Sequence, residues 1–105
     1  MKQTIYIAGK VEDVPKQDRA TKFKQMQKTI ELRGYKVVNP VFIIDGIENK
    51  NFAMKMRLKA LTSCDGIFML PCSVDCMEAD QELQKAIELG IDIYSDIKDL
   101  KIWNS

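Results

Sequence analysis

No histidine occurs in the 105 residues of this chain. That absence removes Ser-His-Asp and Cys-His triads, Cys/His zinc sites and imidazole acid–base chemistry. Catalysis would have to run on carboxylates, thiols, lysines, tyrosines or backbone dipoles. Cysteine is scarce as well. Cys64, Cys72 and Cys76 are an odd count without a secretion signal, which predicts reduced thiols rather than a disulfide framework. No apolar run approaches membrane-spanning length, and the start, Met1-Lys2-Gln3, lacks the apolar stretch and cleavage site of a signal peptide. A cytoplasmic protein with no membrane partner is the expectation. Charge of one sign is missing too: 16 Lys and Arg against 15 Asp and Glu give a net charge of +1, so bulk electrostatics do not predict a nucleic acid polymer as partner.

The apolar share of 46% and the charged share of 30% are those of an ordinary soluble globular domain. The length is enough for one core, so residues 1–105 are read as a single domain. Thr4 to Ala8 is short, β-branched and nearly continuous in apolar character, which predicts a central strand buried on both faces. Gly9-Lys10 ends it, without the glycine spacing of a P-loop or dinucleotide fingerprint. Pro15 suits a first helical turn, and Ala20, Phe23, Met26 and Ile30 predict one buried face of a helix running toward Arg33, with Gly34 as its cap. The lysines on its other face are interspersed with Asp18 and Glu31 and read as solvated.

Tyr35 to Asn39 reads as a second strand, ended by Pro40 and followed by a connection over Val41 to Lys50 with an Asp45-Gly46 turn. A helix capped by Asn49 or Asn51 is expected to bury Met54, Leu58 and Leu61. Gly66 to Leu70 reads as a third strand and Ile91 to Tyr94 as a fourth; Ile97 to Trp103 reads as either a short helix or an edge strand. Between strands three and four, a helix closed by Gly90 places Ala79, Leu83, Ala86 and Ile87 on one face, with Glu82 at its border. This alternation predicts an α/β fold, a three-layer α/β/α sandwich of Rossmann-like (flavodoxin-like) type, with a parallel sheet in the order 2-1-3-4.

The loop from Leu70 into that last helix is where a site is expected, because ligands collect at the carboxyl ends of strands in open α/β sheets. Cys72, Ser73, Asp75, Cys76, Glu78 and Glu82 all fall there. Glu78 and Glu82 are one turn apart and repel each other when ionised. Glu82 could therefore pair with Lys85 or carry a raised pKa in a cleft. Cys72 and Cys76 lack C-x-x-C spacing and a histidine base, so they read as small thiols filling the loop rather than as redox or metal groups.

Three stretches in order, Ile5-Tyr6-Ile7-Ala8-Gly9, Gly34 through Pro40, and Met54 through Leu70 with Cys64-Asp65-Gly66-Ile67, carry a resemblance. They resemble a family of small bacterial and phage proteins related to nucleoside 2-deoxyribosyltransferases and 2′-deoxynucleoside 5′-phosphate N-hydrolases. The resemblance covers nearly the whole chain. It implies that Glu82 is a nucleophile attacking the anomeric carbon of a (deoxy)nucleoside, forming a glycosyl ester that passes to another base or to water. Tyr6, Gly9, Lys10, Asn39, Asp75, Cys76 and Glu78 would then surround the ligand, with Asp65 carried over only as the start of its strand. No cofactor and no metal are implied. The partners would be a small nucleoside or nucleotide and further copies of the chain in a homo-dimer or larger homo-oligomer. The chain departs from the pattern at two places: Cys76 stands where relatives have Ser or Asp, and Glu78 where they have glycine. A carboxylate at position 78 argues against a 5′-phosphate at this helix N-terminus. The alternative expectation is a catalytically inactive nucleoside- or nucleotide-binding or oligomerising module of the same fold.

Overall fold

Strand-forming runs bounded by glycine and asparagine become four short parallel strands in a computed structural model that describes residues 3–11, 14–73 and 76–102, with the backbone alone for Cys72. They are β1 (Thr4–Ala8), β2 (Lys36–Val38), β3 (Gly66–Met69) and β4 (Asp92–Tyr94), in the order β2-β1-β3-β4. The Rossmann-like α/β fold and the strand order are those expected. β1 lies at the centre, and Tyr6 is level with Val38 on one side and Ile67 on the other.

Alternation along β1 separates two cores. Ile5, Ile7 and Phe68 face a cluster with Phe23 and Ile30 from α1 (Lys16–Leu32). Tyr6, Ala8 and Ile67 face the opposite layer with Leu61 and Ala86, from α3 (Lys50–Leu61) and α4 (Met77–Leu89). Leu100 is fully buried in the α1 layer, where Arg33 and Tyr35 donate to the carbonyls of Leu100 and Lys101, each at 2.7 Å. The segment after β4 forms a 3-10 turn at Ile97–Asp99 rather than an edge strand; Trp103 lies outside the described residues. No described helix is long and apolar enough to cross a membrane.

Several details differ from expectation, each for a local reason. Ala20 is exposed, and Arg19 turns inward instead because its guanidinium donates to the Val11 carbonyl at 2.8 Å. The connection after Pro40 contains a short helix, α2 (Pro40–Ile44); Asn39 caps it by accepting from the Val41 amide at 3.0 Å, and proline is welcome at a first helical position. In α3, capped by Asn49, the buried stripe is Ala53, Arg57 and Leu61, while Met54 and Leu58 are only half-buried. In α4, Ala79, Glu82 and Ala86 are buried, Leu83 is half-buried and Ile87 is exposed. Both helices are thus turned so that a charged residue lies at the centre of the buried face. Gly90 ends α4 in the left-handed conformation, with φ of 72°.

Gly66 opens β3 where the backbone and a ring approach closely. A Cβ there would meet Tyr94 Cε2 at 3.0 Å, Ile5 Cδ1 at 3.1 Å and the Asp92 carbonyl oxygen at 3.3 Å. Gly66→Ala is expected to cost about 1–3 kcal/mol by overpacking. Urea denaturation at constant m-value checks this, and an unchanged midpoint would show that Tyr94 swings aside freely.

Candidate functional site

Three side chains from three elements converge between the sheet and the α3/α4 layer. Tyr6 comes from β1, Arg57 from the third turn of α3 and Glu82 from the second turn of α4. Helices following parallel strands run back antiparallel to them, so the first turns of α3 and α4 stand at the carboxyl end of the sheet. Exposure is 0% for Tyr6, 1% for Arg57 and 0% for Glu82, so the charges have no solvent to screen them.

The geometry satisfies every carboxylate oxygen. Arg57 Nη2 donates to Oε1 at 2.8 Å, Arg57 Nε donates to Oε2 at 3.2 Å, and the Tyr6 hydroxyl donates to Oε2 as well. Arg57 Nε also lies 3.5 Å from the Tyr6 oxygen. A planar guanidinium matches the two oxygens of a carboxylate, and this bidentate fit is what permits burial of both charges. The structure thereby answers what offsets the Glu78–Glu82 repulsion. The partner is Arg57, not Lys85, which stands 3.8 Å from Glu88 on the surface.

Burial pushes the Glu82 carboxyl up from its ordinary 4.5 to about 7, against the opposing pull of Arg57 and Tyr6; the nearby Glu78 adds slightly to the rise. Burial first, and then the Glu82 charge, holds the Tyr6 phenol protonated well above its usual range. Burial works to lower the Arg57 pKa, but the charges and hydrogen bonds of Glu82 and Tyr6 together outweigh it and Arg57 ends raised. The sign for stability follows. An acid with a raised folded pKa binds its proton more tightly in the folded state than in the unfolded one. Its stabilising contribution is complete below pH 4.5 and is lost as pH rises to about 7. At about 1.4 kcal/mol per unit, the loss is roughly 3 kcal/mol. Denaturation of the native protein between pH 5 and 8 should show this fall, and a direct carboxyl titration by NMR should place Glu82 near neutrality. A Glu82 midpoint at or below 4.5 would contradict it.

The remaining expected site residues are placed unevenly. Gly9 is buried at the end of β1, and Lys10 is exposed. Asn39 is buried, but its side chain is engaged structurally: besides capping α2 it donates to Gln27 Oε1 at 3.1 Å. Cys76 is buried at the N-cap of α4, and its thiol donates to Glu78 Oε2 at 3.5 Å. Burial, followed by contributions of both signs from the start of α4, leaves that thiol raised, the opposite of an activated nucleophile. Glu78 is half-buried in the first turn of α4. Asp75 lies outside the described residues. Asp65 accepts from the Thr4 amide at 2.7 Å and joins β3 to β1, a structural task. Among the described residues, no group of three or more Cys, Asp or Glu side chains could hold a metal ion.

The structure therefore brings together Tyr6 and Glu82 among the expected residues, and adds Arg57, which sequence reasoning missed. The available signal was the i, i+4, i+8 series Ala53, Arg57, Leu61, but an arginine on a buried stripe looks like an error until its partner is known. A cleft of about 410 Å³ between α1 and the end of β3 is lined by Lys22, Gln25, Met26, Thr29, Leu70 and Pro71, and does not include the triad.

A family model described as "Domain of unknown function (DUF4406)" matches residues 3–95, which include all four strands and the Tyr6, Arg57 and Glu82 cluster. Comparison with curated proteins gives no match.

Proposed function

The chain belongs to the DUF4406 family, and we infer that it acts on the N-glycosidic bond of a (deoxy)nucleoside, with Glu82 as nucleophile. One observation carries this reading. The glutamate on which the resemblance to nucleoside 2-deoxyribosyltransferases sets the nucleophile is held by a tyrosine of the central strand and an arginine, in a site sheltered from water. Carboxylates normally avoid such positions unless paired. A carboxylate can form a glycosyl ester without histidine, and a water-poor site protects that ester. Tyr6 would orient Oε2, leaving Oε1, which has Arg57 as its donor, as the attacking oxygen.

The test is a panel of deoxynucleosides and their monophosphates, with and without acceptor bases, scored for released base. Intact mass and peptide mapping would look for a deoxyribosyl adduct on Glu82. Base release with an adduct at Glu82 supports the reading; an adduct at another residue removes Glu82 from the role.

A second reading has its own observation: both oxygens of Glu82 are occupied and the side chain is fully buried. On that reading the ion pair fastens α3 and α4 to β1 in a catalytically inactive nucleoside-binding module. Ligand-induced thermal stabilisation without turnover would favour it. Assembly into a homo-oligomer is part of either proposal, and sedimentation of the purified chain tests it.

A further inference from the structure

An apolar strip is left uncovered along one open edge of the sheet. β4 ends the order β2-β1-β3-β4 and is paired with β3 on one side alone. Ile93 lies level with Ile67 and shares its face toward the α3/α4 layer. Ile67 is fully buried, yet Ile93 is 45% exposed, because α4 packs over β3 and β1 rather than over β4. The α4 helix overhangs the same gap. Glu82 marks its flank toward α3, through Arg57; Leu83 and Ile87 stand about 100° and 140° further round, on the flank away from α3. Leu83 is half-buried and Ile87 is 55% exposed. Leu83, Ile87 and Ile93 therefore line one edge of the molecule.

Backbone direction narrows what can cover that edge. The Asp92 amide donates to the Asp65 carbonyl of the β3 side, so Asp92 and Tyr94 turn their N–H and C=O groups to β3. Ile93, between them, turns its own to the open side. Such an edge is a template for another strand. Two β4 strands related by a two-fold axis run antiparallel, and in this three-residue strand a register centred on Ile93 lets both copies exchange N–H···O bonds at that residue. The side chains then match. Ile93 meets Ile93 of the second copy on the α4 face, with Leu83 and Ile87 of each copy along the flanks. On the other face Asp92 stands opposite Tyr94 of the second copy, a hydroxyl donor rather than another carboxylate. Within one chain that hydroxyl reaches Asp92 Oδ2 only at 3.4 Å. The far edge of the sheet differs: β2 exposes Lys36, and a charged edge residue opposes pairing.

We propose that the β4 edge, with Ile93 at its centre and Leu83 and Ile87 of α4 beside it, docks a second copy of this chain and joins two four-stranded sheets across a two-fold axis. This dimer gives a face to the homo-oligomer proposed above, on which it rests, and owes nothing to the chemistry of Glu82. Because the edge pair is closed on itself, association stops at two copies.

Sedimentation of the full chain should give a dimer. Ile93→Asp sets two carboxylates at the axis and should weaken association by at least about 100-fold, since one change enters the interface twice. The Ile93 side chain already meets solvent, so circular dichroism should stay that of the native chain. Ile87→Glu repeats the test from the helix without touching the sheet and should also weaken the dimer. Phe42→Asp, on α2 and 66% exposed, is the control and should leave the dimer intact. With oxidised glutathione, Ile93→Cys should link two copies by a disulfide, whereas the native chain, with Cys64, Cys72 and Cys76, should not. The Ile93 amide should be protected from hydrogen exchange in the dimer and lose that protection on dilution. A dimer that survives Ile93→Asp and Ile87→Glu, with no cross-link from Ile93→Cys, overturns this face and leaves the homo-oligomer standing. A native chain that sediments as a monomer overturns both.

Discussion

Replacing Arg57 by methionine is expected to destabilise the fold by about 3–5 kcal/mol at pH 8, the usual result of stranding one member of a buried ion pair. Methionine fills much of the same volume, so the loss reports charge rather than a cavity. With the cation gone, nothing opposes desolvation of Glu82 except Tyr6, and the carboxyl should titrate above its native value of about 7. The difference between native and variant should therefore widen as pH rises through 7 and narrow toward pH 5, where the carboxyl is protonated in both. Removing both charges should behave differently. Arg57→Met with Glu82→Leu is expected to match or exceed native stability by as much as ~1–4 kcal/mol, since neither desolvation cost is then incurred. The two single changes and the double change form a cycle whose non-additivity measures the pair. Urea midpoints at pH 5 and 8 supply the numbers. A loss in the single variant below about 1 kcal/mol, the range of exposed pairs, would mean that water reaches the site.

Glu82→Gln should remove base release from any substrate the native protein turns over, by at least about 1,000-fold in kcat/KM, because an amide cannot form the glycosyl ester. The change keeps the size of the side chain and an oxygen acceptor for Arg57, so circular dichroism should show a folded protein. Glu82→Ala goes further and leaves a space beside a buried cation. Small anions such as azide should enter it and attack C1′ in place of the lost carboxylate, giving a glycosyl azide detectable by mass. Rescue of this kind separates a nucleophile from a residue that merely supports the fold, since a structural role offers no bond for azide to form. Full activity in Glu82→Gln would sink the nucleophile assignment.

Much of the architecture was legible because it rests on local patterning. Continuous apolar character in Thr4–Ala8 marked the central strand, alternation of strand and helix fixed a parallel sheet, and Gly90 marked the end of α4 through the left-handed turn that glycine accommodates. Pro40 misled, because proline both ends strands and begins helices, and only the Asn39 cap decides between them. The buried faces of α3 and α4 were displaced for a single reason: periodicity assigns charged residues to the outside. Arg57 and Glu82 are 25 residues apart in sequence and each is costly to bury alone. Their burial becomes acceptable only when the two helices pack side by side over Tyr6 and the charges meet.

By itself, then, the sequence determined the fold class and strand order, excluded histidine chemistry, and through a resemblance pointed to Glu82. Tertiary structure alone decided that Glu82 faces the sheet, that Tyr6 and Arg57 hold its oxygens, and that its carboxyl is pushed up to about 7. The physical reason is that hydrophobic periodicity is a property of one element, whereas the cost of burying a charge depends on what another element places opposite it.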